Sequence, residues 1–98
     1  MILGRLTWPE TEALDRDLVV LLPTGSFEQH GPHLPLLTDT LLAEAVAQEA
    51  ERQCPEDCIL LPALWLGASG HHLPFPGTLS HRFEGYVSAI QQVIRCLA

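Results

Sequence analysis

Leu18-Val19-Val20-Leu21-Leu22, stopped by Pro23, is an unbroken apolar run with no polar alternation. It is too short for a core helix. Runs of this kind are strands buried on both faces, as in a parallel sheet. Cys58-Ile59-Leu60-Leu61, stopped by Pro62, repeats the signature. Between the two runs, residues 40–53 turn helical: Leu41, Leu42, Ala45, Val46 and Ala50 make one apolar stripe, and Pro55 ends it. Phe83, Val87, Ile90, Ile94 and Leu97 keep a four-three-four-three spacing that predicts a last helix over about 82–97, with Ser80 as its cap. At the start, Thr7-Trp8-Pro9-Glu10 carries the Thr/Glu pattern of a capping box, with proline in the first turn, and predicts a short helix over about 8–14. Strands alternating with helices imply βαβ units. The expectation is a layered α/β fold: a single domain over residues 1–98, with two parallel strands and flanking helices.

The composition narrows the function. Hydrophobic residues make up 47% of the 98 residues, enough for a core, and charged residues 17%, too few for a solvated tail. A net charge of −7 excludes the basic surface that nucleic-acid binding relies on, and suits cations. No apolar run approaches the ~18–20 residues that span a bilayer. The first residues lack a secretory layout. Three cysteines, Cys54, Cys58 and Cys96, make an odd number that argues for structural thiols in a reducing compartment, so a cytoplasmic protein is expected.

Both long irregular stretches, residues 23–38 and about 64–80, leave from the carboxyl ends of the two strands, where ligands sit in parallel sheets. All five histidines fall in or just after them. In the first, an extended backbone over 28–30 puts Glu28 and His30 on one side, and Asp39 opens the next helix. Glu28, His30 and Asp39 form an oxygen/nitrogen set that Zn²⁺, Mn²⁺ and Fe²⁺ all accept. The blander reading makes Asp39 a helix cap and the Glu-x-His pair surface decoration. Other chemistries fare worse. Gly25-Ser26-Phe27-Glu28 fails the Gly-x-Ser-x-Gly nucleophile elbow at position 28, and without a single lysine the chain has no Walker motif.

The stretch Gly25-Ser26-Phe27-Glu28-Gln29-His30-Gly31-Pro32-His33-Leu34-Pro35-Leu36, followed by Thr38-Asp39, resembles the N-terminal signature of the creatininase family, the creatinine amidohydrolase-like metal-dependent hydrolases. The second loop, Gly67-Ala68-Ser69-Gly70-His71-His72-Leu73-Pro74-Phe75-Pro76-Gly77-Thr78, resembles the family's second block, and Leu6-Thr7-Trp8-Pro9 its opening. The resemblance implies a pair of divalent metals in a layered α/β/α fold and hydrolysis of a C–N bond in a small or cyclic amide. It makes Glu28 a ligand of one metal, His30 a ligand of the other and Asp39 the bridge between them. His72 becomes the proton-shuttling catalytic histidine, beside His71 where the family often has Glu, and His33 is assigned a supporting place. Two metals supply an activated water and a polarised carbonyl, which amide hydrolysis needs.

The family chain is far longer, and its later half brings further ligands. The sequence is therefore read as the N-terminal portion of such an enzyme, holding one metal weakly and turning over little alone. Two strands make a poor sheet with open edges. A homo-oligomer or a complementing C-terminal half is the expected partner, besides the amide substrate. The alternative is a non-catalytic metal-binding or assembly module, or an inactive relic.

Overall fold

The computed structural model describes residues 1–98. Its elements are α1 (Trp8–Glu12), β1 (Val19–Leu21), α2 (Thr38–Gln53), β2 (Cys58–Leu60) and α3 (Phe83–Leu97), with single 3₁₀ turns at Leu3–Arg5 and Gly70–His72. β1 and β2 pair in parallel, Val19 opposite Cys58 and Leu21 opposite Leu60. α2 is the crossover between them, as the alternating pattern predicts. The strands are shorter than the apolar runs because Pro23 and Pro62 offer no N–H to the ladder. Pairing resumes beyond the prolines as an isolated parallel bridge, Thr24 opposite Leu64, held by Gly25 N–H to the Leu64 carbonyl (2.9 Å) and Leu64 N–H to the Pro23 carbonyl (2.9 Å). Ile2 bridges the far edge of β2 at Leu60, and the amino terminus is tied to Glu51 at 2.6 Å.

Burial departs from the expected pattern. β2 is buried along its whole length, but Val19 and Val20 of β1 are 60% and 41% exposed. The larger residues of the α2 stripe are left open: Leu42 and Val46 are 61% and 70% exposed, whereas Thr40 is buried and Ala43, Ala47 and the stripe's own Ala50 are half-buried. Small residues let the helix lie close to the strands. The stripe of α3 is likewise open, with Phe83 69% exposed. Only nine of 98 residues are buried, and the radius of gyration is 15.3 Å. A fully collapsed chain of this length would have ~13 Å.

The capping box of α1 forms, whereas the cap of α3 lies elsewhere than the sequence predicts. The Glu10 carboxylate accepts from both the Thr7 N–H and the Thr7 hydroxyl at 2.7 Å, which holds its pKa below the usual carboxylate value; α1 stops at Glu12, short of the expected residue 14. Ser80 is not the cap of α3. Arg82 holds that position without a side-chain bond, and the Ser80 hydroxyl instead accepts from the Ser69 N–H and donates to the His81 carbonyl, both at 2.7 Å. The structure thus uses Ser80 to fold the second loop back on itself. The free thiols of Cys54 and Cys58 lie 3.4 Å apart, and each also reaches a backbone carbonyl, in keeping with a structural role.

Gly25 is where the first loop meets the start of α2. A Cβ there would lie 2.5 Å from Thr40 Cα and closer still to its hydroxyl, which donates to the Ser26 carbonyl at 3.0 Å. Gly25→Ala is expected to push α2 off the loop and lower stability by about 1–3 kcal/mol, the usual range for overpacking, measured by urea unfolding. Gly70→Ala, which meets open space, serves as the control.

Candidate metal centre

Backbone hydrogen bonds bring the two loops together. In the first, Glu28 N–H donates to the Leu36 carbonyl at 2.9 Å, and His30 bridges Leu34 across a tight turn at Gly31, whose φ of 74° suits glycine. Phe27 pairs with Leu79 of the second loop, Leu79 N–H reaching the Phe27 carbonyl at 2.9 Å, and Gln29 N–H donates to the Thr78 hydroxyl at 3.2 Å. Phe27 also meets Trp65 edge to face, ring centres 5.8 Å apart. His71 and His72 are carried to Glu28 by this pairing.

Two groups of donors result, and Glu28 belongs to both. Glu28, His30 and Asp39 each offer a ligand atom within 4.8 Å of the others, and so do Glu28, His71 and His72. The first group is the one the sequence singles out. Glu28 and His30 point the same way, as an extended backbone requires, and Asp39 comes from the first turn of α2, which begins two residues earlier than expected. In the second group, His72 Nε2 stands 3.8 Å from Glu28 Oε2 and the His71 and His72 rings are 4.1 Å apart. His33 lies exposed at the turn and belongs to neither. The histidine at 71 is a member that spacing alone left without a role.

The hydrogen bonds determine the protons. His30 Nδ1 donates to the Glu28 carbonyl at 3.3 Å, so its Nε2 carries a lone pair in the neutral ring. That Nε2 faces Asp39 Oδ1 at 3.2 Å. Two acceptors this close need a proton or a cation between them. Without a metal the proton is favoured: the His30 pKa is raised, chiefly by the bond to the Glu28 carbonyl, against some desolvation and with help from the Asp39 charge. Asp39 Oδ2 accepts from the buried Ser26 hydroxyl at 2.6 Å, the main reason its pKa is lowered. Ser26, which fails as the nucleophile of an elbow motif, serves the carboxylate instead. No local signal marks this, because Ser26 and Asp39 meet only through the Gly25–Thr40 approach.

The donor set fits a divalent ion. Two carboxylates and an imidazole nitrogen freed by a backbone bond to its other nitrogen are the usual ingredients of zinc and manganese sites.

Residues 4–98 match the Creatininase family, described as creatinine amidohydrolase. The chain belongs to the creatininase family. It is 35% identical to the creatinine amidohydrolase of Pseudomonas putida over its whole length, spanning 40% of that protein, and 52% identical over 66 residues to the mycofactocin precursor peptide peptidase of Mycolicibacterium smegmatis, spanning 27% of it. Among solved structures, a mutant creatininase complexed with creatine superposes with a TM-score of 0.87 at 36% identity, covering 98% of this chain and 39% of that one. Others of similar likeness are a Zn-Zn form and a Mn form of creatininase. The chain therefore spans well under half the length of these relatives. The expected α/β fold is that of the corresponding part of a creatininase.

Asp39 stability follows from its partners. Its pKa is depressed on folding, so its contribution is present above the unfolded carboxylate value and fades as pH falls through the folded one. Ser26→Ala is expected to raise the Asp39 pKa, seen by carbon-13 NMR of the carboxylate in metal-free protein, and to weaken Zn²⁺ binding by about 10–100-fold, the range for supporting hydrogen bonds of metal ligands.

Proposed function

We propose that this chain is the metal-holding N-terminal part of a creatininase-like amidohydrolase that cleaves a C–N bond in a cyclic or small amide. The observation that carries this reading is the convergence of Glu28, His30 and Asp39 within 4.8 Å, on a chain of this family. Glu28 and His30 would each hold one ion of a pair with Asp39 shared between them, and Zn²⁺, Mn²⁺ or Fe²⁺ suits the set. A metal pair supplies an activated water and an electrophile for the amide carbonyl. The chain's own residues do the rest. The Glu28 carbonyl keeps His30 Nε2 available, Ser26 keeps Asp39 ionised and aimed, and His72 delivers the proton to the leaving nitrogen.

The same reading assigns residues 1–98 to one domain and gives the open apolar faces a use. Two hollows of about 650 and 590 Å³ have none of the metal ligands in their lining. The second lies between β1 and α2, lined by Val20, Leu22, Leu42 and Val46. β1 has a partner on one edge only. We assign these surfaces to a complementing polypeptide equivalent to the remaining part of the longer relatives, which would extend the sheet and add metal ligands. A cytoplasmic setting agrees with the three free thiols, and no helix is long and apolar enough to cross a membrane.

Co-expression with the C-terminal remainder of the Pseudomonas putida relative tests this. A heterodimer should form, bind close to two metal ions per site by elemental analysis and hydrolyse creatinine or a short peptide. Asp39→Ala should cut kcat/KM by at least about 100-fold, the loss of a few kcal/mol of transition-state stabilisation. A complex that binds one ion and turns over neither substrate would favour the non-catalytic module. Homodimers of the 98-residue chain in place of heterodimers would show that a second copy covers these faces.

A further inference from the structure

Gln29 lies beside a proposed metal ligand, yet its side chain points to a different residue. Its Oε1 accepts the Gly31 N–H at 3.0 Å. A backbone N–H can only donate, so the atom facing it is the oxygen, and the amide cannot turn over without losing this bond. The opposite end of the same amide, Nε2, stands 2.7 Å from His72 Nδ1. An amide nitrogen can only donate, so Nδ1 must be the acceptor. In a neutral imidazole the proton is then on Nε2, the atom that faces Glu28 Oε2 at 3.8 Å.

We infer that Gln29 is a positioning residue that holds His72 as the Nε2–H tautomer, keeping it a proton donor and out of the metal's coordination sphere. The inference rests on the hydrolase reading for its purpose, though not for its geometry. It also separates the two donor groups around Glu28. His30 and His72 flank the same carboxylate and receive opposite tautomers from opposite partners. A carbonyl takes the Nδ1 proton of His30 and leaves Nε2 bare for a cation. An amide N–H takes the Nδ1 lone pair of His72 and leaves Nε2 protonated. The Glu28–His71–His72 group therefore has the spacing of a cation site without a usable His72 donor.

The rigidity of the device comes from Gly31. Its positive φ turns its N–H back onto Gln29, two residues earlier. Gln29 N–H is itself held by the Thr78 hydroxyl at 3.2 Å, so the residue is fixed against both loops.

The test changes one atom. In Gln29→Glu, Oε1 still accepts from Gly31, but the second oxygen accepts from Nδ1 and so reverses the tautomer of His72. In nitrogen-15 histidine-labelled 98-residue chain at pH 8, two-bond proton–nitrogen spectra should show His72 protonated on Nε2 in the parent and on Nδ1 in Gln29→Glu. Solid-state spectra read the same shifts if the chain associates. Zn²⁺ titration against a chromophoric chelator gives the second readout. Gln29→Glu should bind Zn²⁺ at least about tenfold more tightly than the parent, on the scale of changes next to metal ligands. That gain should vanish in the Gln29→Glu, His72→Ala double variant, while His72→Ala alone leaves parent affinity unchanged. A parent His72 protonated on Nδ1, or a His72→Ala variant that loses as much Zn²⁺ affinity as Asp39→Ala, overturns the inference. Absence of Zn²⁺ binding, with His72 still protonated on Nε2, would instead overturn the metal-holding reading and leave this one standing.

Discussion

Two carboxylates and a bare imidazole nitrogen are held within 4.8 Å of one another in Glu28, Asp39 and His30, and none of them can satisfy the others. All three are acceptors. Such a cluster is repulsive unless a proton or a cation sits within it. The His30 pKa is raised, chiefly by its bond to the Glu28 carbonyl and further by the Asp39 and Glu28 charges, so that without a cation a proton fills the gap. A divalent ion fills it with twice the charge. The surrounding bonds all serve to keep the acceptors in place: Ser26 on Asp39, the Glu28 carbonyl on His30, and the Leu36 carbonyl on the Glu28 N–H.

The scaffold that holds this tension is small. β1 and β2 end at prolines, and the loops that follow stay side by side through the Thr24–Leu64 bridge. Gly25 then admits Thr40 at a distance no side chain would tolerate, which sets the first turn of α2, and Asp39 with it, against Ser26. The second loop is folded back by Ser80 and clipped to the first at Phe27 and Leu79, which delivers His72 to Gln29 and Glu28. Loops fixed at this many backbone positions have little freedom to lose when a ligand binds.

Against that ordered rim, the apolar faces are conspicuous. Burial is confined to β2, Thr40 of α2 and a few loop positions, while β1, the large residues of the α2 stripe and the stripe of α3 remain open. An apolar stripe at helical spacing says that some surface will cover it, and does not say whose. The stripe of α2 was legible as Leu41, Leu42, Ala45, Val46 and Ala50, yet of these only Ala50 is half-buried, beside Thr40, Ala43 and Ala47. The larger residues await something else, and the relatives, more than twice as long as the matched part, have the chain to provide it.

Periodicity and proline punctuation determined the order of elements, the parallel pairing and the crossover helix, because these depend on neighbours within a few residues. The Glu-x-His spacing and the aspartate at a helix start determined which donors were available, since an extended backbone alone sets Glu28 and His30 on one side. Tertiary structure decided the rest. It joined Ser26 to Asp39 across thirteen residues and Gln29 to His72 across forty-three, contacts no local pattern encodes. It moved Ser80 from helix cap to loop clasp. It gave the two histidines opposite tautomers, because an imidazole takes its proton arrangement from whichever donor or acceptor the fold places beside it.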